Sequence, residues 1–189
     1  MSEPFRYAPY WCEENVWHLC QETASLPAAL DRRWAVFITN PHKTVAMWGQ
    51  RAAAGRDPIV WDYHVVLAAS VAGRLDVWDL DTTWGAPVAA KRYLEQSFRA
   101  VSNEYQPHFR IVPAAAYVAH FSSDRSHMRH GDGYRVSPPP WPAIHRPEAG
   151  MNLMRFLDVN DPFVGRVTDL VSLVPALWEL AGETAQEEP

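Results

Sequence analysis

Long hydrophobic runs are absent from this chain, and nothing in it approaches the roughly 20 apolar residues needed to cross a bilayer, so no membrane span is expected. An excess of positive charge is absent too. Lysine and arginine total 17 against 22 acidic residues, a formal net charge of -5, and no basic run follows a phosphate backbone. Neither nucleic acid nor an anionic membrane is therefore an expected partner. Cysteine is scarce: only Cys12 and Cys20 occur. A helical segment between them would hold them about 12 Å apart, beyond the about 7 Å Cα separation that a disulfide allows. Free thiols are expected, as in a reducing compartment. A leader peptide is not expected, because Glu3 and Pro4 stand where its apolar core would begin. These absences fit a cytoplasmic protein, with the nucleus added in a eukaryote.

What is present is ordinary in bulk. Hydrophobic residues make up 48% and charged residues 21% of 189 residues, enough for one domain with a sizeable core. A single domain over 1–189 is expected, with an acidic, frayed tail at 183–189. Nine tryptophans and 16 prolines point to large aromatic plugs and much ordered irregular chain.

The stretch Ile59-Val60-Trp61-Asp62-Tyr63-His64-Val65-Val66-Leu67 is rich in residues that suit a pleated, half-buried backbone. Residues 59–69 read as one core strand carrying His64. Regular alternation along it would turn Trp61 and Tyr63 away from His64 and Asp62 and into the core. Residues 75–80 read as a second strand, hairpin-linked across Ala72-Gly73-Arg74. That hairpin brings Asp79, with Asp81 as the outside candidate, toward the imidazole. A lone histidine in an apolar strand is most often a satisfied core residue, so its neighbours decide.

The other candidate partner is Cys12. Val16, Leu19 and Cys20 share a helical face, and Glu13 and Glu14 are acids of the kind that favour a first turn. Cys12 thus lies at or just before a helix N-terminus, where unpaired N–H groups stabilise a thiolate and can hold an oxyanion. Glu13 and Glu14 oppose that effect, so an imidazolium partner has to supply the rest. Cys20 reads as an inert buried thiol. Further along, the helical region ends at 26–30. Strands are expected at 34–40 and 44–48, paired as a hairpin, and at 109–112. Helices are expected at 88–98, 114–121 and 163–180, the last broken at Pro175. The proline-rich stretch 122–150 reads as an ordered loop on the body, able to wall the site, with Asp124 and Arg125 pinning it as a pair. Met151 to Phe156 adds a short closing element. His120, Asp124, His127 and His130 have a superficially metal-like spacing, but Gly131-Asp132-Gly133 argues against a helix there and no cysteine joins them. No metal is expected.

Several blocks then resemble one family. Trp61-Asp62-Tyr63-His64-Val65 is similar to the WDYHV signature of the protein N-terminal glutamine amidohydrolases. Cys12-Glu13-Glu14-Asn15, Ala35-Val36-Phe37-Ile38, Asp79-Leu80-Asp81-Thr82, Ser123-Asp124-Arg125-Ser126-His127-Met128, Pro138-Pro139-Pro140 and Met151-Asn152-Leu153 resemble the same family in the same order. The resemblance implies an α+β fold with a papain-like or transglutaminase-like core, a mostly antiparallel sheet flanked by helices. It implies a catalytic Cys12, His64 and Asp79, no cofactor, and deamidation of N-terminal glutamine on proteins or peptides in the N-degron pathway through a γ-glutamyl thioester. Asp62, Glu13 and Glu14 are candidates for reading the substrate's free α-ammonium, by nearness to the triad. A monomer is expected. Other readings keep the triad but change the reaction, to a thiol peptidase or an acyl transferase, or drop catalysis for an adaptor that binds peptide N-termini.

Overall fold

The computed structural model describes residues 5–22, 26, 28–29 and 32–183. The first helix ends at Gln21, and Leu26, Ala28 and Ala29 are not helical, so the first helical region stops short of the expected 26–30; Pro27, Leu30 and the expected tail beyond Glu183 lie outside the described residues. Helix α1 (Cys12–Gln21) leads into β1 (Arg33–Thr39), β2 (Val45–Met47), β3 (Ile59–Trp61), β4 (His64–Val71), β5 (Arg74–Trp78) and β6 (Val88–Ala89). Then follow α2 (Ala90–Ser97), β7 (His108–Pro113), α3 (Ala114–His120), the short strands β8 (Arg129–His130) and β9 (Gly133–Tyr134), α4 (Leu153–Leu157), β10 (Arg166–Asp169) and α5 (Leu173–Ala181). The main sheet has six strands in the order β10-β7-β1-β4-β5-β6, with every pairing antiparallel. This is the expected α+β class.

Strand β1 lies at the centre because both of its faces are apolar. Ala35 and Phe37 pack with α1, α3 and α4, while Trp34, Val36 and Ile38 pack with α2 and α5. Strand β4 divides likewise, Val65, Leu67 and Ala69 to the first layer and Val66 and Ala68 to the second. Covered on both sides, these strands read as continuous hydrophobic runs rather than alternating ones. The β4–β5 hairpin forms where expected: Ala72 (φ 50) and Gly73 (φ 76) make the positive-φ two-residue turn that matches strand twist.

Three further expectations about the elements need correction. Residues 59–69 are two strands in different sheets: β3 pairs with β2, whereas β4 pairs with β1 and β5. The switch falls at Asp62, whose carboxylate accepts the Tyr63 N–H (2.9 Å) and whose carbonyl accepts the Thr39 hydroxyl (3.2 Å), local bonds that compete with a ladder. Strand β2 therefore does not form a hairpin with β1. The Asn40 carboxamide intercepts the N–H groups of His42 and Thr44 (3.0 Å each) and turns the chain away. Finally, 163–180 is not one helix. It holds β10 and then α5, which runs through Pro175, because the third helical residue has no intrahelical N–H bond to lose.

The loop after α3 is held to the body by a buried ion pair. Arg125 donates to both Glu14 oxygens (2.8 and 2.7 Å), and the Trp141 indole donates to Glu14 at 2.7 Å. Glu14, not Asp124, is thus the partner of Arg125; Asp124 accepts the Ser126 N–H (2.9 Å). Replacing Arg125 with leucine strands the Glu14 carboxylate in a site with no exposure. The expected cost is about 3–5 kcal/mol of stability, read as a lower urea midpoint with an unchanged m-value.

Candidate active site

Cys12 is the first residue of α1, so its N–H is among those the helix leaves unpaired. The thiol is 8% exposed and lines a cavity of about 360 Å³. His64 opens β4 and lines the same cavity. By strand parity His64 belongs with Val66 and Ala68 on the α2 side, while Cys12 arrives with α1 on the other. Both border one cavity at the end of the sheet, where β4 begins.

Asp79 follows directly on β5 and is almost wholly buried. Four donors converge on its carboxylate, each at 2.9 Å: His64 Nε2, Gln50 Nε2, the Tyr93 hydroxyl and the Asp81 backbone N–H. Burial alone would raise the Asp79 pKa, but the His64 charge and these bonds outweigh it and hold the group below the usual carboxylate range. Burial likewise lowers His64, yet the Asp79 charge and hydrogen bond, with Asp81 and Glu13 beyond, carry it above the ordinary imidazole value. Trp61 stacks on the ring, with centroids 5.7 Å apart and planes 15° apart. Gly49 (φ 66) places Gln50: a Cβ there would stand 2.0 Å from the Trp84 ring.

The sulfur sits in an acidic setting. Burial, then the charges of Glu13, Asp81 and Asp62, push the Cys12 thiol well above its ordinary value, against a lowering contact from the Val65 N–H. Glu13 is fully buried beneath the sulfur. Its Oε2 lies 3.8 Å from Cys12 Sγ and accepts the Tyr63 hydroxyl at 3.1 Å. Its Oε1 lies 3.3 Å from His127 Nε2, an ion-pair distance without hydrogen-bond alignment.

The acids considered for the α-ammonium separate in this setting. Asp62 is exposed and borders the cavity; Glu13 lies behind the wall; Glu14 is spent on Arg125 and Trp141. Asp81 borders the cavity and is 6% exposed. Tyr63 is buried in the α1-side core as expected and also borders the cavity, whereas Trp61 is half-buried and stacks on His64, because the break at Asp62 cancels strand alternation. His127, Met128, Arg135 and Val136 bring the long loop to the rim. Gln50 and Tyr93 were not marked by any spacing in the sequence, since each acts through a contact distant in the chain, and the metal-like spacing that marked His127 did not point to its place beside Glu13. As for metals, His64, Asp79 and Asp81 offer ligand atoms within 4.8 Å of one another, and among the described residues no such group forms at His120, Asp124, His127 and His130. The direct His64–Asp79 hydrogen bond already engages two of those three groups, which suits proton handling.

Fold and cavity define a class: an α+β protein that opens a cysteine thiol and a carboxylate-bound histidine into one cavity. Comparison with known proteins narrows it. The profile of the N-terminal glutamine amidase family matches residues 7–176. A human protein N-terminal glutamine amidohydrolase is 38% identical over 165 residues, covering 84% of this chain and 80% of that protein. The zebrafish (Danio rerio) protein of the same name is 38% identical over 165 residues, covering 84% and 81%. The Drosophila mojavensis one is 42% identical over 140 residues, covering 71% and 68%. The chain belongs to the N-terminal glutamine amidase family.

Proposed function

We propose that this protein hydrolyses the side-chain carboxamide of an N-terminal glutamine, releasing ammonia and leaving glutamate, with Cys12, His64 and Asp79 as its catalytic groups. The observation that carries this reading is the 2.9 Å His64 Nε2–Asp79 bond in a cavity that the Cys12 thiol also lines, in a chain of this family. With Nε2 committed to Asp79, Nδ1 is the ring nitrogen available for proton transfer. His64 takes the Cys12 proton as the sulfur attacks the carboxamide carbon. The Cys12 backbone N–H, unpaired at the start of α1, donates to the oxyanion. The imidazolium then protonates the departing nitrogen, and ammonia leaves a γ-glutamyl thioester. Neutral His64 next takes a proton from water. The hydroxide adds to the thioester, and the sulfur departs and regains the proton. Asp79 holds the tautomer and the charge of the ring throughout.

The order of helix-borne thiol, strand-borne imidazole and a carboxylate after the following strand supports a papain-like or transglutaminase-like core. No step calls for a metal or an organic cofactor. A monomer acting in the cytoplasm, or the nucleus of a eukaryote, and feeding an N-degron pathway completes the reading.

Peptides starting with Gln, Asn or acetyl-Gln test it. Ammonia release with a mass gain of about one dalton, from the Gln peptide alone, is the expected result, since amide NH₂ is exchanged for OH through an acyl-enzyme. Peptide cleavage would instead indicate a peptidase, transfer to an added amine an acyl transferase, and tight binding without turnover an adaptor.

A further inference from the structure

We propose that Asp81, positioned by the Tyr7 hydroxyl, is the group that reads the free α-ammonium of the substrate. This rests on the deamidation reading above and goes further, naming the residue that would confine the reaction to a chain terminus.

An ammonium taken out of water requires a carboxylate or a set of carbonyls around it. Three carboxylates near the sulfur compete for the task. Glu13 is walled off from the cavity and already faces the Tyr63 hydroxyl at 3.1 Å and His127 at 3.3 Å. Asp62 is exposed, and an ion pair in open water discriminates little. Asp81 differs from both. It lines the cavity at 6% exposure. Its Oδ1 accepts the Tyr7 hydroxyl at 2.6 Å, and its other oxygen accepts no hydrogen bond among the described residues. A desolvated carboxylate with one oxygen unpaired is poorly compensated, and a cation that fits beside it recovers that cost.

The geometry agrees. Ligand atoms of Asp81, Asp79 and His64 lie within 4.8 Å of one another, and the Asp81 charge is felt at the Cys12 sulfur. In glutamine, four bonds separate the α-nitrogen from the carboxamide carbon, roughly 5 Å when extended. A carboxamide held at Cys12 and His64 therefore brings the ammonium within reach of Asp81. A second cavity of about 180 Å³ shares Tyr10, Trp61 and Asp81 with the first, so the carboxylate is reached from two sides. Arg51 also lines that cavity, but its Nε is engaged by the Thr82 carbonyl (3.2 Å). Burial raises the Asp81 carboxyl above its usual range, against the lowering effects of His64, the Tyr7 hydroxyl and Arg51.

The test measures binding in a Cys12→Ala background, so that turnover plays no part. Two peptides are compared by calorimetry, one starting with Gln and one in which that residue is 4-carbamoylbutanoyl, identical but for the α-amine. The amine is expected to improve Kd roughly 10- to 100-fold, the range for a hydrogen bond to a charged group. Adding Asp81→Asn should shrink that ratio to within about twofold. Tyr7→Phe removes only the positioning hydroxyl and should give an intermediate ratio, which keeps the idea testable if Asp81→Asn fails to fold. An unchanged ratio in both variants, or a ratio that collapses in Asp62→Asn instead, overturns the assignment. If the protein with Cys12 intact releases no ammonia from the Gln peptide, the deamidation reading fails; the amine preference is scored separately.

Discussion

Cys12→Ala is expected to release ammonia from a Gln-initiated peptide at least about 10⁴-fold more slowly than the unaltered protein, because removing a nucleophile leaves only binding and oxyanion stabilisation. The fold should survive. Alanine is the best helix former, the site is the first residue of α1, and the loss of one sulfur beside a cavity costs about 1 kcal/mol. Far-UV circular dichroism and a urea midpoint check that half of the expectation. The control is Cys20, eight residues on in the same helix and fully buried in the core between α1 and the sheet. Its thiol is pushed far up by burial, only partly offset by Arg33, so it is inert and Cys20→Ala should keep its rate. Loss of activity in Cys20→Ala with retention in Cys12→Ala would overturn the nucleophile assignment.

Asp79→Asn is expected to lose about 10⁴-fold in kcat, the scale of losing the tautomer-holding carboxylate in such a triad, and also several kcal/mol of stability. The second loss follows from counting donors. Four N–H or O–H groups point at the Asp79 oxygens, and asparagine offers one oxygen and turns an NH₂ on the rest. Either the NH₂ faces the Asp81 N–H, which cannot accept, or the Gln50 carboxamide and the Tyr93 hydroxyl must both reorient to accept from it, and either way buried hydrogen bonds are lost or rearranged. The pH dependence follows from the two shifts. His64 is raised, so its contribution to stability is complete below the ordinary imidazole range and is lost as pH climbs through the raised value. Asp79 is lowered, so its contribution is complete above the ordinary carboxylate range and is lost as pH falls through the lowered value. The contribution of this pair should therefore be flat between those limits and decline outside them. In Asp79→Asn, ring NMR in a Cys12→Ala background should show the His64 pKa falling; a value that does not move would disprove the coupling.

The residues proposed as catalytic stood out because their types are rare in their settings: two cysteines, one histidine within an apolar run, and one acid just past the following strand. The family signature around Trp61 and His64 made the match specific. Element types were legible too, from the helical spacing of Val16, Leu19 and Cys20 in α1 and from the apolar, β-prone run of β1. Boundaries failed where a side chain intervened. Asp62 split one apparent strand into two sheets, Asn40 turned β2 away from β1, and Pro175 sat in the single turn of a helix that tolerates it. Each failure comes from a local hydrogen bond, present or dispensable, that no periodicity records.

The sequence by itself determined the class of fold and the free thiols, and it singled out the side chains we propose as reactive, because these depend on residue type and short-range order. Tertiary structure alone decided which groups stand beside them. Gln50 and Tyr93 reach Asp79 from 29 and 14 residues away, Glu14 is consumed by Arg125 from 111 residues away, and Asp81 rather than Glu14 faces the cavity. Such partners are chosen by how the layers close at the end of the sheet, and that closure depends on packing across the whole domain.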